Sequence, residues 1–362
     1  MSRDVKPRLK PQTRQNNQHP IDRKKEFFIR DNFFECHHYP ILSRLKILVK
    51  SSTINYMKCL VTGGAGFICS HLVDRLIKEG HQVAVIDNLS TGKKENLNPK
   101  AKFYKIDICS PQISQIFKKE KPEIVFHFAA QIDLRKSVED PLKDAEINIL
   151  GSLNILENCR KFKIKKFIFA STGGAIYGDT EIVPTPEDYP EFPLSPYGIE
   201  KLTIDKYLNY YHEVFGLPYV SLRLANVYGP RQNSKGEAGV VAIFCDKMLS
   251  GGQPVINGTG IQTRDFVFVD DVIEASILAM ESKKSGVFNV GTAKETDINT
   301  IFRKLKKLTG ASCRKIHGPE KAGEQKRSCL NYSKAKKELK WQPKYDLDEG
   351  LKQTVNWFKD KN

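Results

Sequence analysis

The sequence predicts an α/β fold: a doubly wound parallel sheet followed by a smaller C-terminal α/β lobe. Three observations lead there. From Met57 onward, short apolar runs alternate with longer segments whose apolar residues recur at helical spacing. One run, Glu123–Ala130, is apolar almost throughout, as a strand covered on both faces requires. A glycine-rich loop joins the first run to the first helix, which is where sheets of this kind receive an anion.

Taken in order, Lys58–Thr62 reads as a strand. His71–Lys78 reads as a helix with Leu72, Val73, Leu76 and Ile77 on one face. Gln82–Asp87, Phe103–Ile108 and Glu123–Ala130 are the next strands. A helix follows over about Leu142–Arg160, then a strand at Lys166–Ser171, a helix after Pro196 and a strand at Tyr219–Ala225. This βαβ rhythm assigns residues 57–227 to one sheet domain. Beyond it the pattern is mixed, with strands near Phe266–Val269 and Val287–Val290 and helices near Ile298–Leu308, Ser333–Leu339 and Leu351–Phe358. Residues 228–362 are therefore expected to form mainly the smaller lobe, with some segments returning to the sheet domain.

Composition narrows the function classes. With 40% hydrophobic and 28% charged residues the chain can bury a core, so wholesale disorder is excluded. No apolar run approaches the about 18 residues of a spanning helix, so no membrane partner is expected. The net charge of +16 is uneven: residues 1–56 hold 12 basic and 5 acidic residues, and the rest carries +9. Residues 1–56 show no sustained period and are expected to be a basic, disordered extension, with Met57 directly before the first clean strand. Glu35-Cys36-His37-His38 has no second ligand cluster in the sequence, so no metal is expected. The remaining charge suits small anionic ligands, and no nucleic-acid partner is expected. The eight cysteines are scattered and form no CxxC pair, which points to buried thiols in a reducing, cytoplasmic compartment.

Two constellations carry chemistry. In Val61-Thr62-Gly63-Gly64-Ala65-Gly66-Phe67-Ile68-Cys69, Gly63 permits a tight turn. Gly66 lets the backbone approach a pyrophosphate at a helix N-terminus, where free N–H groups and the macrodipole favour an anion. Asp87 ends the second strand. A carboxylate there accepts hydrogen bonds from ribose hydroxyls and repels a 2′-phosphate, which predicts NAD rather than NADP. The second constellation is Tyr197-Gly198-Ile199-Glu200-Lys201 after Ser195-Pro196. A Tyr and a Lys at i and i+4 share a helix face, and a nearby ammonium is expected to lower the phenol's pKa and make it a general base. The preceding strand ends in Ser171 and Thr172, whose hydroxyls are expected at the carboxyl edge of the sheet.

Thr62–Phe67, Asp87, His127-Phe128-Ala129-Ala130, Asn148, Ser171–Gly178 and Tyr197–Lys201 together resemble the extended short-chain dehydrogenase/reductase superfamily. Within it, residues 57–360 are most similar to the nucleotide-sugar epimerases of the UDP-glucose 4-epimerase group. The resemblance implies a Rossmann domain with a substrate-binding lobe, retained NAD and reversible oxidation at sugar C4 of a UDP-hexose, so that the carbon is inverted through a transient 4-keto sugar. It implies that Tyr197 takes the 4-hydroxyl proton, that Lys201 bonds the nicotinamide ribose, and that Thr172, with Ser171 as the fallback, bonds the reacting oxygen. Gly63, Gly66, Phe67, Ile68, Asp87, Asn88, Asp107, Ile108, Phe128, Ala129, Ala130, Asn148, Tyr197 and Lys201 would line the cofactor. Asp107 would sit by the adenine and Asn148 in the floor beneath the cofactor. Asn226, Gly239, Val240, Arg264, Lys321, Glu324 and Ser328 would meet the UDP-sugar. Ser328 aligns with a gating position, and its small side chain would leave room for N-acetyl forms.

The resemblance also sets alternatives. Sugar 4,6-dehydratases carry Asp-Glu directly after the Thr, where this chain has Gly173-Gly174, and UDP-glucuronate 4-epimerases or decarboxylases remain as relatives. Three departures stand out: Cys69 in the third glycine position of the loop, Asn257 where relatives often have an aromatic residue, and Lys321 with Glu324 where they commonly have Arg and an acid. Many relatives dimerise through two helices of each subunit. Leu142–Arg160 and Pro196–Phe215 are the candidates here, with Leu153, Ile155 and Leu156 or Ile204, Tyr207 and Leu208 able to serve a homodimer or ordinary core alike.

Overall fold

The structure, a computed structural model, describes residues 56–235, 239–320 and 325–361. The extension call at 1–56, with Glu35–His38, falls almost wholly outside these residues, and so do Lys321 and Glu324. In chain order the first half is β1 Lys58–Thr62, α1 Phe67–Lys78, β2 Gln82–Asp87, β3 Lys102–Lys105, α2 Ile113–Glu120, β4 Ile124–His127, α3 Leu134–Glu139, α4 Pro141–Ala145, α5 Ser152–Lys161, β5 Lys166–Thr172, α6 Gly173–Ile176, α7 Pro196–Phe215 and β6 Tyr219–Leu224. The second half is β7 Asn226–Tyr228, α8 Val240–Leu249, β8 Val255–Asn257, β9 Thr263–Phe268, α9 Val269–Glu281, β10 Gly286–Val290, β11 Glu295–Asp297, α10 Ile298–Thr309, β12 Ile316–Gly318, β13 Arg327–Ser328, α11 Ser333–Glu338 and α12 Leu347–Lys361.

Seven strands form one sheet in the order β3-β2-β1-β4-β5-β6-β10, and every neighbouring pair is parallel. Strand alternation builds its two faces. In β1, Cys59 and Val61 join the core that includes Leu72, Val73, Phe244 and Ile273, whereas Leu60 joins the one that includes Phe117, Ile155 and Leu208. Helices thus cover both sides, and the strands are apolar on both. The strand order reverses between β1 and β4, so a crevice opens at their carboxyl ends.

The last hundred residues are shared between the two parts. β10 pairs with β6 in the main sheet, so the Val287–Val290 run serves the large sheet. A second sheet is centred on β9, which pairs with β7, β11 and β13, while β8 and β12 form a two-stranded ribbon.

Several elements differ from their expected bounds. The first helix begins at Phe67, four residues before His71, because the glycine loop itself supplies the N-cap, Gly66. The run to Ala130 leaves the sheet after His127, since the Phe128 and Ala129 amides donate to Thr62 Oγ1, each at 3.2 Å. The helix expected over Leu142–Arg160 is interrupted by a π-helical segment at Glu146–Gly151. Such widened turns are frequent where a helix positions a functional side chain, and Asn148 lies in this one.

Candidate active site

The glycine loop fits a dinucleotide. Gly63 has φ +75°, and a Cβ there would stand 2.9 Å from the Ala129 amide nitrogen, so both backbone shape and space require glycine. The N-terminus of α1 has no side-chain cap and no acid in its first turn, leaving its N–H groups and positive dipole end to an anion. Cys69 is compatible with this arrangement. Its thiol is buried and donates to the Thr62 carbonyl at 3.6 Å, tying α1 to β1 beneath the loop.

Asp87 is 8% exposed and accepts from the Ala65 amide (3.0 Å) and the Leu89 amide (2.7 Å). It therefore organises the loop it borders. Asn88 donates to Asp107 (2.7 Å), which also accepts from the Cys109 amide (2.8 Å). These bonds hold the Asp107 carboxyl below its ordinary value, against the upward push of burial. Ile108 is buried, and its carbonyl accepts from Asn154 at 2.7 Å. Phe128, Ala129 and Ala130 are half-buried beside Thr62. Below them His127 is fully buried between Thr62 and Ser152, 2.8 Å from each hydroxyl. Burial, aided by Lys201, lowers its imidazole to about 3, so it is a neutral strut.

Helix α7 is started by Ser195, whose hydroxyl accepts from the Gly198 amide at 3.2 Å, and by Pro196 at its first position. It stops at Gly216 with φ +68°. Its first turns place Tyr197 and Lys201 against β5. The Lys201 ammonium donates to the Ala170 carbonyl (2.8 Å) and lies 5.7 Å from the centre of the Tyr197 ring. Burial lowers it to about 8, opposed by the carboxylates of Asp205, Glu200 and Asp144.

The expected lowering of the Tyr197 phenol is not what the protein alone produces. Burial, then the charges of Asp144 and Glu200, push it up. Burial disfavours the phenolate first, and Lys201 is not the only charge nearby. Asn148, 3% exposed, donates to Glu200 Oε2 (2.8 Å) and to Asp144 Oδ1 (3.2 Å), so two carboxyl groups flank the pair. The sequence reading passed over them. Asp144 lies four residues before Asn148 and Glu200 one before Lys201, and that spacing was the available signal.

The two hydroxyls at the end of β5 part company. Ser171 is buried and donates to Asp205 Oδ2 at 3.2 Å, within a network with Arg223. Its hydroxyl is thereby engaged on the core side of β5, the face that strand alternation gives it. Thr172 faces the cleft. A Cβ placed on Gly174 would stand 3.9 Å from both Thr172 Oγ1 and Ser328 Oγ, so these hydroxyls border one space. Gly173 has no such room, since a Cβ there would come within 2.4 Å of the Leu330 side chain.

The second sheet collects three expected substrate residues. Asn226 on β7 is opposite Phe266 of β9, and Ser328 on β13 is opposite Arg264 of β9. Asn226 is exposed. Arg264 donates to the Thr263 carbonyl at 2.8 Å and has a further interaction. Gly239 caps α8 ahead of Val240, and that helix too begins without a side-chain cap or an early acid. Arg231, by contrast, is paired with Asp74 at 2.7 Å.

Comparison with known proteins agrees with this geometry. Residues 59–291 match the model of the NAD dependent epimerase/dehydratase family. A putative UDP-glucose 4-epimerase of Methanocaldococcus jannaschii is 47% identical over 303 residues, covering 84% of this chain and 99% of that one. The crystal structure of Thermotoga maritima UDP-glucose 4-epimerase with UDP-glucose superposes with a TM-score of 0.83 at 50% identity, over 84% of this chain and 99% of that one. Thermus thermophilus UDP-glucose 4-epimerase in complex with NAD gives 0.80 at 42%, over 83% and 99%.

Proposed function

The chain belongs to the NAD-dependent epimerase/dehydratase family, and from that premise we propose that it inverts C4 of a UDP-hexose, UDP-glucose and UDP-galactose first. It is a UDP-glucose 4-epimerase-like isomerase with NAD as its cofactor. The observation that carries the substrate reading is the space bordered by Thr172 and Ser328, one from each sheet, at the end of the strand whose Ala170 carbonyl Lys201 bonds.

Bound NAD supplies reversible two-electron oxidation and reduction. The Gly63–Ile68 turn would hold its pyrophosphate, Asp87 and the Asn88–Asp107 pair its adenosine end, and Phe128–Ala130 with Asn148 the wall and floor. Tyr197, as the phenolate, would take the proton of the sugar 4-hydroxyl and return it after the sugar has turned over. Lys201 would donate to the nicotinamide ribose and hold a positive charge near that oxygen. Thr172 Oγ1 donates to the reacting oxygen. Asn226, Arg264 and the N-terminus of α8 at Gly239-Val240 hold the diphosphate. Lys321 and Glu324 are assigned to the same end from sequence alone. Dehydration at C5 and C6 is disfavoured, because Gly173 and Gly174 bring no proton-transfer group and position 173 has no room for one. Ser328 leaves space for an N-acetyl group, so those sugars belong among the substrates.

The test uses purified protein with no cofactor added. UDP-glucose, UDP-galactose and their N-acetyl forms should each be interconverted with the C4 epimer, because the redox equivalents cycle within the site. A requirement for stoichiometric oxidant would overturn the epimerase reading, and reaction of only the non-acetylated pair would overturn the role of Ser328.

The partner proposed is a second copy of the chain. Ile155, Leu156, Ile204 and Leu208 are core, at 0–1% exposure, so they do not form the pairing face. Ile199, Tyr207, Tyr210 and Val214 instead lie exposed along α7, and Leu142 of α4 and Leu150 are exposed as well. Their spacing along α7 makes one apolar stripe. Sedimentation should give twice the chain mass, and Ile199→Glu with Val214→Glu should give monomer. A wild-type monomer at micromolar concentration would sink this assignment. The seven cysteines among the described residues are all free, five of them buried, which supports a reducing, cytoplasmic setting. Among the described residues no helix is long and apolar enough to cross a membrane.

A further inference from the structure

Asp144 on α4 and Glu200 on α7 meet across Asn148, and both are almost wholly buried, at 2% and 3% exposure. Their hydrogen bonds are unequal. Asp144 Oδ1 accepts from Gln131 Nε2 (2.8 Å) and Asn148 Nδ2 (3.2 Å). Asp144 Oδ2 is buried and has no donor among the described residues. Asn148 is fully used: its amide nitrogen also serves the Gln131 carbonyl (3.0 Å) and Glu200 Oε2 (2.8 Å), and its oxygen accepts from the Gln131 amide (2.8 Å). It has nothing left to give the orphaned oxygen.

Two ionised carboxylates cannot satisfy one another, since each only accepts. One proton held between them resolves the site. It gives Asp144 Oδ2 a donor and removes one of two like charges from a dry environment. We infer that Asp144 and Glu200 form a buried carboxyl pair that shares a single proton and thereby sets the charge felt by Tyr197 and Lys201. The pair is a positioning device. It acts through the phenol and the ammonium, and its catalytic consequence rests on the reading of Tyr197 as the proton acceptor.

The surrounding charges agree with this. Burial first, then the hydrogen bond and charge of Asp144, push the Glu200 carboxyl well above the ordinary range, with Asn148 and Lys201 opposing. From α7 itself the pair faces Tyr197 and Lys201, and Asp205 stands behind Lys201. From β4, His127 is neutral. From the start of α3, Asp133 is paired with Arg135, and its carbonyl shares Gln131 Nε2 with Asp144. With one proton in place the pair carries a single negative charge opposite one ammonium. Loss of that proton at alkaline pH adds a second negative charge and opposes ionisation of Tyr197.

Infrared difference spectra of the wild-type holoenzyme between about pH 6 and about pH 10 test the proton directly. A protonated-carboxyl band should be present at neutral pH, fade on alkalinisation and be missing in Glu200→Gln. That variant keeps an acceptor for Asn148 and a donor for Asp144 without a removable proton. The kcat–pH profile should carry an alkaline inflection in the wild type that is lost or displaced by about one pH unit or more in Glu200→Gln, with KM for the nucleotide sugar following the wild type. Asp144→Asn is the second variant and should remove the same inflection. No band at neutral pH, or superimposable profiles, would overturn the pair. The two readings fail separately. A band together with an active Tyr197→Phe enzyme would retire the proton-acceptor role and leave the shared proton standing.

Discussion

Tyr197→Phe should lower kcat by about a thousandfold or more while the protein keeps its dinucleotide and its affinity for UDP-sugar. General acid–base groups contribute about 10²–10⁴ in rate, and the upper part of that span is expected because the same oxygen must accept and return the proton in each turnover. The substitution removes one atom and keeps the ring against the Lys201 ammonium, 5.7 Å from the ring centre. Lys201 keeps its bond to the Ala170 carbonyl, and the glycine loop is built by β1 and α1, so cofactor retention should not change. Kinetics with UDP-galactose and the absorbance of the bound dinucleotide check both halves. A variant within tenfold of wild type would place the proton acceptor elsewhere.

The largest loss of stability should follow Asp205→Ala. Arg223 is 1% exposed on β6, an interior strand of the large sheet, and Asp205 accepts from its Nε at 3.0 Å. The same carboxylate accepts from Ser171 and Ser221. Glu191 and the Tyr177 hydroxyl take the other guanidinium nitrogens. Burial raises the Asp205 carboxyl, and Arg223 is the first force opposing that rise. Guanidinium cannot shed its proton, so without Asp205 the cation keeps only the part-exposed Glu191, and two buried hydroxyls lose their acceptor. Removing one member of a buried pair costs about 3–5 kcal/mol. Glu191 should hold the loss near about 3 kcal/mol, read from the urea midpoint at constant m-value. A loss under about 1 kcal/mol would mean that the remaining partners re-pair fully. Replacing Asp205 and Arg223 together with apolar residues should recover much of the loss, since no charge is then left unpaired.

Much of this protein can be read from local pattern. The sheet strands, the glycine turn before α1, Asp87 at the end of β2 and the Tyr197–Lys201 spacing depend on residues within one or two turns of each other, and short-range sterics and periodicity report such features directly. What the chain order could not supply are relations between distant segments. Which of Ser171 and Thr172 is engaged in the core depends on Asp205, 34 residues away in sequence, reaching one of them. Which sheet receives Val287–Val290 depends on β6 offering an open edge. The coupling of Asp144 to Glu200 arises only when the π-segment carries Asn148 against α7, 52 residues later in sequence. A local pattern states what a residue can donate or accept. Packing alone decides which partner reaches it and whether water remains to share the charge.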